Sequence, residues 1–158
     1  MEIYVDGCNN RKFGACATVV GVHENIKYDL FREYYFLFPD LILEEIDAPV
    51  GKIVVAKIHF NDVASQQNNG AELIAMVAAL RISLHNNFTY PILSDSKLIV
   101  DFWSKKMSKT VTDPEKGKYI QECISLHKEF ESKGGVIRWI PGDLNMSDIG
   151  LHINKKVR

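Results

Sequence analysis

Four acids sit where apolar stretches of this chain begin or end. Asp6 follows "IYV", Glu72 heads "ELIAMVAAL", Asp95 closes "YPILS" and Asp148 opens "DIGLHI". Each has an ordinary structural role open to it. Asp6-Gly7 is a chain-reversing pair. Asn69 and Glu72 have the spacing of a capping box, with Asn in place of Ser or Thr. Asp95 can cap the helix that follows, and Asp148 can complement a helix N-terminus. Two features weigh against four separate roles. Apart from Asp62, Glu72 is the only charged residue between Lys57 and Arg81, in a segment otherwise nearly all apolar. A lone buried carboxylate costs several kcal/mol or takes up a proton. In addition, Asp6 and Asp95 share one sheet edge if their strands are parallel neighbours, and helices at that edge can bring Glu72 and Asp148 to the same place. Gathered carboxylates repel unless cations sit among them. Hard divalent ions such as Mg²⁺ take oxygen ligands, and two ions roughly 3.5–4 Å apart are a standard arrangement for displacement at phosphorus.

The elements that must carry these acids read as follows. "IYVDG" and "FGACATVVGV" are two strands near enough to pair as a hairpin, with Asp6 closing the first. "GKIVVAKIHF" (51–60) is a third strand. From Asn69 the period becomes helical, with Leu73, Met76, Val77, Leu80 and Leu84 at helix spacing and Glu72 in the first turn. "YPILSD" is a fourth strand. "SKLIVDFWSKK" and "PEKGKYIQECISLHKEFESKGG" are helices, the second closed by Gly134-Gly135. "VIRWIPG" is a fifth strand and "SDIGLHINKK" a final helix. Three hairpin-like strands followed by strand–helix alternation imply a mixed α/β sheet flanked by helices. The acidic, aromatic-rich segment 24–50 reads as an insertion between the second and third strands, either a strand broken at Pro39 or a short helix after it. With no repeat or linker, residues 1–158 are expected to form one domain.

Bulk composition is that of a soluble globular chain, at 46% apolar and 25% charged residues. No run reaches the roughly 18 apolar residues of a membrane span, and no signal peptide is visible. Cys8, Cys16 and Cys123 form no CxxC pair, so reduced thiols in an intracellular compartment are expected. The net charge of −1 gives no global sign of a nucleic-acid binder, but it is unevenly spread. Residues 21–66 carry eight acids and four bases, whereas 97–109 carry four lysines and one aspartate. A local basic strip attracts phosphates whatever the total.

Taken together, "YVDGCNN", "NNGAELIAMVAAL", "ILSDSKLIV" and "WIPGDLNMSDIGL" resemble the motifs of type 1 ribonuclease H, in the right order and on the right elements. The resemblance spans nearly the whole chain. It implies a ribonuclease H-like fold with a five-stranded mixed sheet, three strands antiparallel and the others parallel. It also implies endonucleolytic cleavage of the RNA strand of an RNA/DNA hybrid, leaving 5′-phosphate and 3′-hydroxyl ends. Asp6, Glu72, Asp95 and Asp148 are then the catalytic, metal-binding set for two Mg²⁺ ions, with Mn²⁺ also accepted. One ion would help form the attacking hydroxide and the other would stabilise the leaving oxygen. Cys8, Asn9, Asn68, Asn69 and Lys97 match positions that contact the 2′-hydroxyl and minor groove, the 2′-hydroxyl being what separates RNA from DNA, and Gly7 would let the backbone approach a phosphate or ribose closely. Phe102, Trp103, Ser104, Lys105 and Lys106 lie where the family grips the DNA strand; for Phe102 and Trp103 a core role is equally open. The chain is expected to be monomeric and to have no membrane partner.

Two departures qualify the match: the 24–50 segment lengthens the stretch between Asp6 and Glu72 beyond what two hairpin loops need, and a histidine is missing. The loop before the last aspartate, "PGDLNMSD", lacks the family's histidine; His152, one helical turn beyond Asp148, either replaces it or is a surface residue. Asn145 fits a version of the motif seen in divergent relatives. Two other functions remain open on the residues alone: a resolvase- or exonuclease-type nuclease of the same broad fold, and a non-catalytic hybrid-binding module.

Overall fold

The computed structural model describes residues 1–10, 12–61, 67–106, 111 and 113–147. Strands β1 (Glu2–Asn10) and β2 (Gly14–His23) form the long hairpin, in register from Glu2↔Val22 to Asn10↔Gly14. Strand β5 (Gly51–Lys57) pairs antiparallel with β2 at Cys16↔Lys57 and Ala17↔Ala56. Strand β6 (Ile92–Ser94) lies parallel to β1 on its other side, and β7 (Ile137–Trp139) parallel to β6. The core order β5-β2-β1-β6-β7, antiparallel on one side of β1 and parallel on the other, is the ribonuclease H-like arrangement.

Among the described residues the sheet has seven strands rather than five. Both extra strands come from the segment between β2 and β5, where a strand, not a helix, follows Pro39 and the helical turns precede it. It runs through β3 (Ile26–Asp29), paired with the far half of β2, a single helical turn α1 (Leu30–Glu33), a 3₁₀ turn at Tyr35–Leu37, and β4 (Ile42–Ala48) at the sheet edge beside β5. Pro39 falls in the turn before β4, where its missing N–H breaks no ladder bond. The exposed edge carries Glu44, Glu45 and Asp47, charges that discourage pairing with another chain.

Helix α2 (Gln67–Asn86) lies across one face of the sheet and α3 (Pro114–Ser132) packs on α2. Ile3 and Val5 of β1 and Val19 of β2 meet Leu73, Met76, Val77 and Leu80 of α2 and Ile120, Cys123 and Phe130 of α3 in one core. The other face has its own cluster of Tyr4, Cys8, Cys16, Val20, Ile46, Val55 and Leu93. Burial on both faces accounts for the near-continuous apolar run of β2, which shows little alternation. Helix α3 starts on Asp113, whose carboxylate accepts from the amides of Glu115 (2.9 Å) and Lys116 (3.2 Å) with Pro114 behind it. The chain leaves α3 through Gly134 at φ +93°, a left-handed conformation suited to glycine.

"SKLIVDFWSKK" does not form the regular α-helix its spacing predicts. It makes a short π-helical turn, Ile99–Trp103, closed by Ser104 N–H donating to Ile99 O at 3.0 Å. The Ser104 hydroxyl donates to Val100 O at 3.0 Å, and His127 of α3 bonds the Ser104 carbonyl at 2.8 Å. These tertiary bonds favour the wide turn, which buries Ile99, Val100 and Trp103 while leaving Asp101 and Phe102 outside. The expected final helix lies outside the described residues. Among the described residues no helix is long and apolar enough to cross a membrane.

One side chain ties the 24–50 segment to both helices. Arg81 on α2 makes paired hydrogen bonds to Asp40 (2.8 and 2.9 Å) and to Glu122 of α3 (2.6 and 2.8 Å). It also donates to Leu37 O at 3.3 Å, and Tyr119 adds a bond to Asp40 at 2.8 Å. The guanidinium is only 17% exposed. Its hydrogen bonds hold the Asp40 carboxyl down at about 2. Arg81→Met leaves two carboxylates facing an apolar stem, so the expected loss is about 2–4 kcal/mol, below that for breaking a wholly buried pair. Thermal melts are expected to fall by ~2–4 °C per kcal/mol, and Asp40 to titrate nearer its ordinary 3.8 by NMR.

Candidate metal centre

The parallel pairing of β1 with β6 sets the site. Register runs Ile3↔Ile92, Tyr4↔Leu93, Val5↔Ser94, so Asp6 and Asp95 follow as the next residues on adjacent strands. Asp6 does not close β1, and Asp6-Gly7 makes no turn. The strand continues to Asn10, with Asp6 opposite Thr18, and the reversal comes later, where Gly14 adopts φ +74°.

Glu72 reaches this place because Gly7 lets α2 approach. A Cβ on Gly7 would lie 2.5 Å from the Glu72 amide nitrogen and 2.8 Å from the Ala71 carbonyl carbon. The absent side chain therefore serves helix–strand contact, a role for Gly7 that the sequence did not suggest. Gly70 repeats the device one face over, where a Cβ would meet the Phe60 ring at 2.7 Å. The helix begins by Gln67, so Glu72 lies past the first turn and Asn69 is inside the helix rather than capping it.

Asp6, Glu72 and Asp95 each bring a carboxylate oxygen within 4.8 Å of the others. Asp6 is 2% exposed, Glu72 4%, and Asp95 is half-buried. The Gly7 N–H donates to Asp6 Oδ1 at 3.0 Å. Burial first, then the charges of Asp6 and Asp95, push the Glu72 carboxyl well above its ordinary value, and the Gly7 amide only partly opposes them. Glu72 Oε2 is fully buried and, among the described residues, has no hydrogen-bond partner.

An orphaned carboxylate oxygen among three acids fits a hard divalent cation, since every donor in the group is oxygen. Asp6, Glu72 and Asp95 would hold it. Asp148 and His152 lie outside the described residues. Asn145, 5% exposed, spends its side chain on the fold. Its Nδ2 donates to Val5 O (2.9 Å), and its Oδ1 accepts from Ser147 N (3.0 Å) and Ser147 Oγ (2.7 Å). Thr18 Oγ1 donates to Ser147 O at 3.2 Å. Asn145 thus pins the chain, up to the residue before Asp148, against β1 beside Asp6.

The other expected contacts divide. Asn68 and Lys97 are exposed, and Asn9 and Asn69 half-exposed. Cys8 is buried on the second face of the sheet, its Sγ 2.6 Å from Cys16 Sγ, so its thiol does not face solvent for a substrate. Trp103 is 6% exposed, in the core, with Lys116 Nζ 5.8 Å from its ring centre. It is therefore no support for a sugar; the exposed ring of that strip is Phe102, beside exposed Lys105 and Lys106. One residue at the site went unnoticed in the sequence. Trp139 pairs with Ser94, donates its indole N–H to Asp95 O at 3.1 Å, and carries Lys97 Nζ 4.7 Å over its ring. Its only sequence signal is its place at the end of a strand expected to run beside that of Asp95.

The raised Glu72 value has a sign. In metal-free protein the folded state holds a proton on Glu72 that the unfolded chain releases near 4.5, so this contribution is present below 4.5 and is lost as pH rises through the raised folded value. The melting temperature of EDTA-treated protein is expected to decline with pH across that window. In Glu72→Gln the decline should flatten, and in wild type millimolar Mg²⁺ or Mn²⁺ should offset the decline, with protons released where Glu72 still holds one. A decline of equal slope in wild type and Glu72→Gln would contradict the assignment.

No protein-family model matches the sequence, and no curated protein does. Among solved structures the chain is similar to the N-terminal RNase H domain of Rv2228c from Mycobacterium tuberculosis, solved as a fusion with maltose-binding protein. That likeness covers 94% of this chain and 92% of the other, at 21% identity and a TM-score of 0.49. At that level it bears no weight for function, and the fold stands on strand order and direction.

Proposed function

We propose that this chain is a divalent-metal-dependent nuclease that cuts the RNA strand of RNA/DNA hybrids, with Asp6, Glu72, Asp95 and Asp148 as its acidic set. The observation that carries the reading is the buried, oxygen-only cluster with an orphaned Glu72 oxygen, set where the middle of β1 lies beside the end of β6 in a ribonuclease H-like sheet. Divalent ions, when bound, supply a nucleophile at neutral pH and charge for the leaving oxygen.

The protein's own part is placement and charge. Parallel strands fix Asp6 and Asp95, helix α2 fixes Glu72, and near-complete burial of two of the three keeps their charge unscreened. Asn145 directs the chain toward Asp148. Asn68, Asn69 and Asn9 offer amides that both donate and accept, suited to a 2′-hydroxyl. Lys97, Lys105 and Lys106 supply the cations a polyanion needs beside an acidic cluster.

A labelled RNA/DNA hybrid incubated with Mg²⁺ or Mn²⁺ is expected to yield fragments with 5′-phosphate and 3′-hydroxyl ends, and EDTA to stop the reaction. Asp95→Asn should lower the rate at least about 100-fold, the upper end of what losing even an outer partner of a metal ligand costs. Normal cutting by Asp95→Asn would reject the site. An intact hybrid beside digested branched or single-stranded DNA would move the reading to another nuclease of this fold.

A further inference from the structure

We propose that Trp139 is a positioning residue for substrate binding, holding Lys97 as a fixed phosphate contact beside the carboxylates; this rests on the nuclease reading above. Trp139 ends β7 opposite Ser94 and is 42% exposed, at the rim of the site rather than in a core. Its two chemical faces are both used. The indole N–H bonds the carbonyl of Asp95, a candidate metal ligand, at 3.1 Å. The π-face lies under the ammonium of Lys97, 4.7 Å from the ring centre. One side chain therefore links a carboxylate-bearing strand end to the first cation after it.

The physical need is specific. Three clustered acids repel the polyanion whose scissile phosphate must come among them, and a cation at the rim offsets that repulsion. A free lysine stem two residues from Asp95 would sample many rotamers and lose that freedom on binding. An ammonium held over an indole has much of that ordering done beforehand. The arrangement leaves Lys97 on the exposed side, where the phosphate neighbouring the scissile one can meet it.

Binding of a labelled RNA/DNA hybrid, read by fluorescence anisotropy across a salt series, tests this together with steady-state cleavage. Lys97→Gln is expected to weaken binding about 3–10-fold and reduce the salt slope by about one. Trp139→Leu should weaken it about 2–5-fold, with the loss falling more on hybrid binding than on turnover at saturating hybrid. Trp139→Phe keeps a ring and should bind nearly as wild type, as should Lys97→Arg, whose guanidinium also stacks. The Trp139→Leu/Lys97→Gln double variant should bind no worse than Lys97→Gln alone, because the tryptophan acts through the lysine. If Trp139→Leu does not fold, the Lys97→Gln, Lys97→Arg and Trp139→Phe arms decide. Wild-type binding by Lys97→Gln, additive losses in the double variant, or equal loss of turnover in Trp139→Phe and Trp139→Leu would each overturn the proposal while leaving the nuclease reading intact. Failure of the wild-type chain to bind hybrid at all would overturn both.

Discussion

Two carboxyl groups from distant parts of the chain, Asp6 and Glu72, are held almost out of water within reach of a third, Asp95. Left to themselves these groups would separate or hydrate. The fold forbids both, because Asp6 and Asp95 are fixed by strand pairing and Glu72 rides on a helix packed directly on β1. The resulting repulsion, and the raised Glu72 proton affinity it causes, is a local loss of stability accepted for one location. Stored at a site of this kind, it becomes affinity for positive charge.

The rest of the molecule can be understood as what keeps that repulsion from being relieved by movement. Gly7 and Gly70 let α2 sit so close that a methyl group would push it away. The side chains of α2 and α3 fill the space behind, and Arg81 ties segment 24–50 to both helices through two carboxylates. On the other side of the site, Asn145 and Thr18 fasten residues 145–147 to β1 and β2. None of these groups is charged toward the cluster; they act by denying it alternatives.

Much of this was legible in the residues. Acids at the ends of apolar runs, a helix with one unexplained glutamate, and strand–helix alternation lead to a mixed sheet flanked by helices and, if two of the strands are parallel neighbours, to the meeting of Asp6, Glu72 and Asp95. What stayed hidden depends on partners far away in sequence. Gly7 reads as a turn former, yet its neighbour is the α2 backbone. Trp103 reads equally as a core residue or as an aromatic beside lysines on the surface, and a π-turn stabilised by Ser104 and His127 turns it inward. Asn145 bonds a residue 140 positions away, and no local pattern encodes that. Segment 24–50 reads ambiguously because its strands are specified by β2 and β5 rather than by their own propensity.

The central claim is that these carboxylates gather in order to seat a divalent cation. Anomalous diffraction from crystals soaked in Mn²⁺ tests it most directly. The account expects a peak within ~2–2.2 Å of oxygens from Asp6, Glu72 and Asp95, with Glu72 Oε2 or its neighbour oxygen turned onto the ion. A map without a peak among those side chains at saturating Mn²⁺, or one that finds the three carboxylates apart, would contradict it.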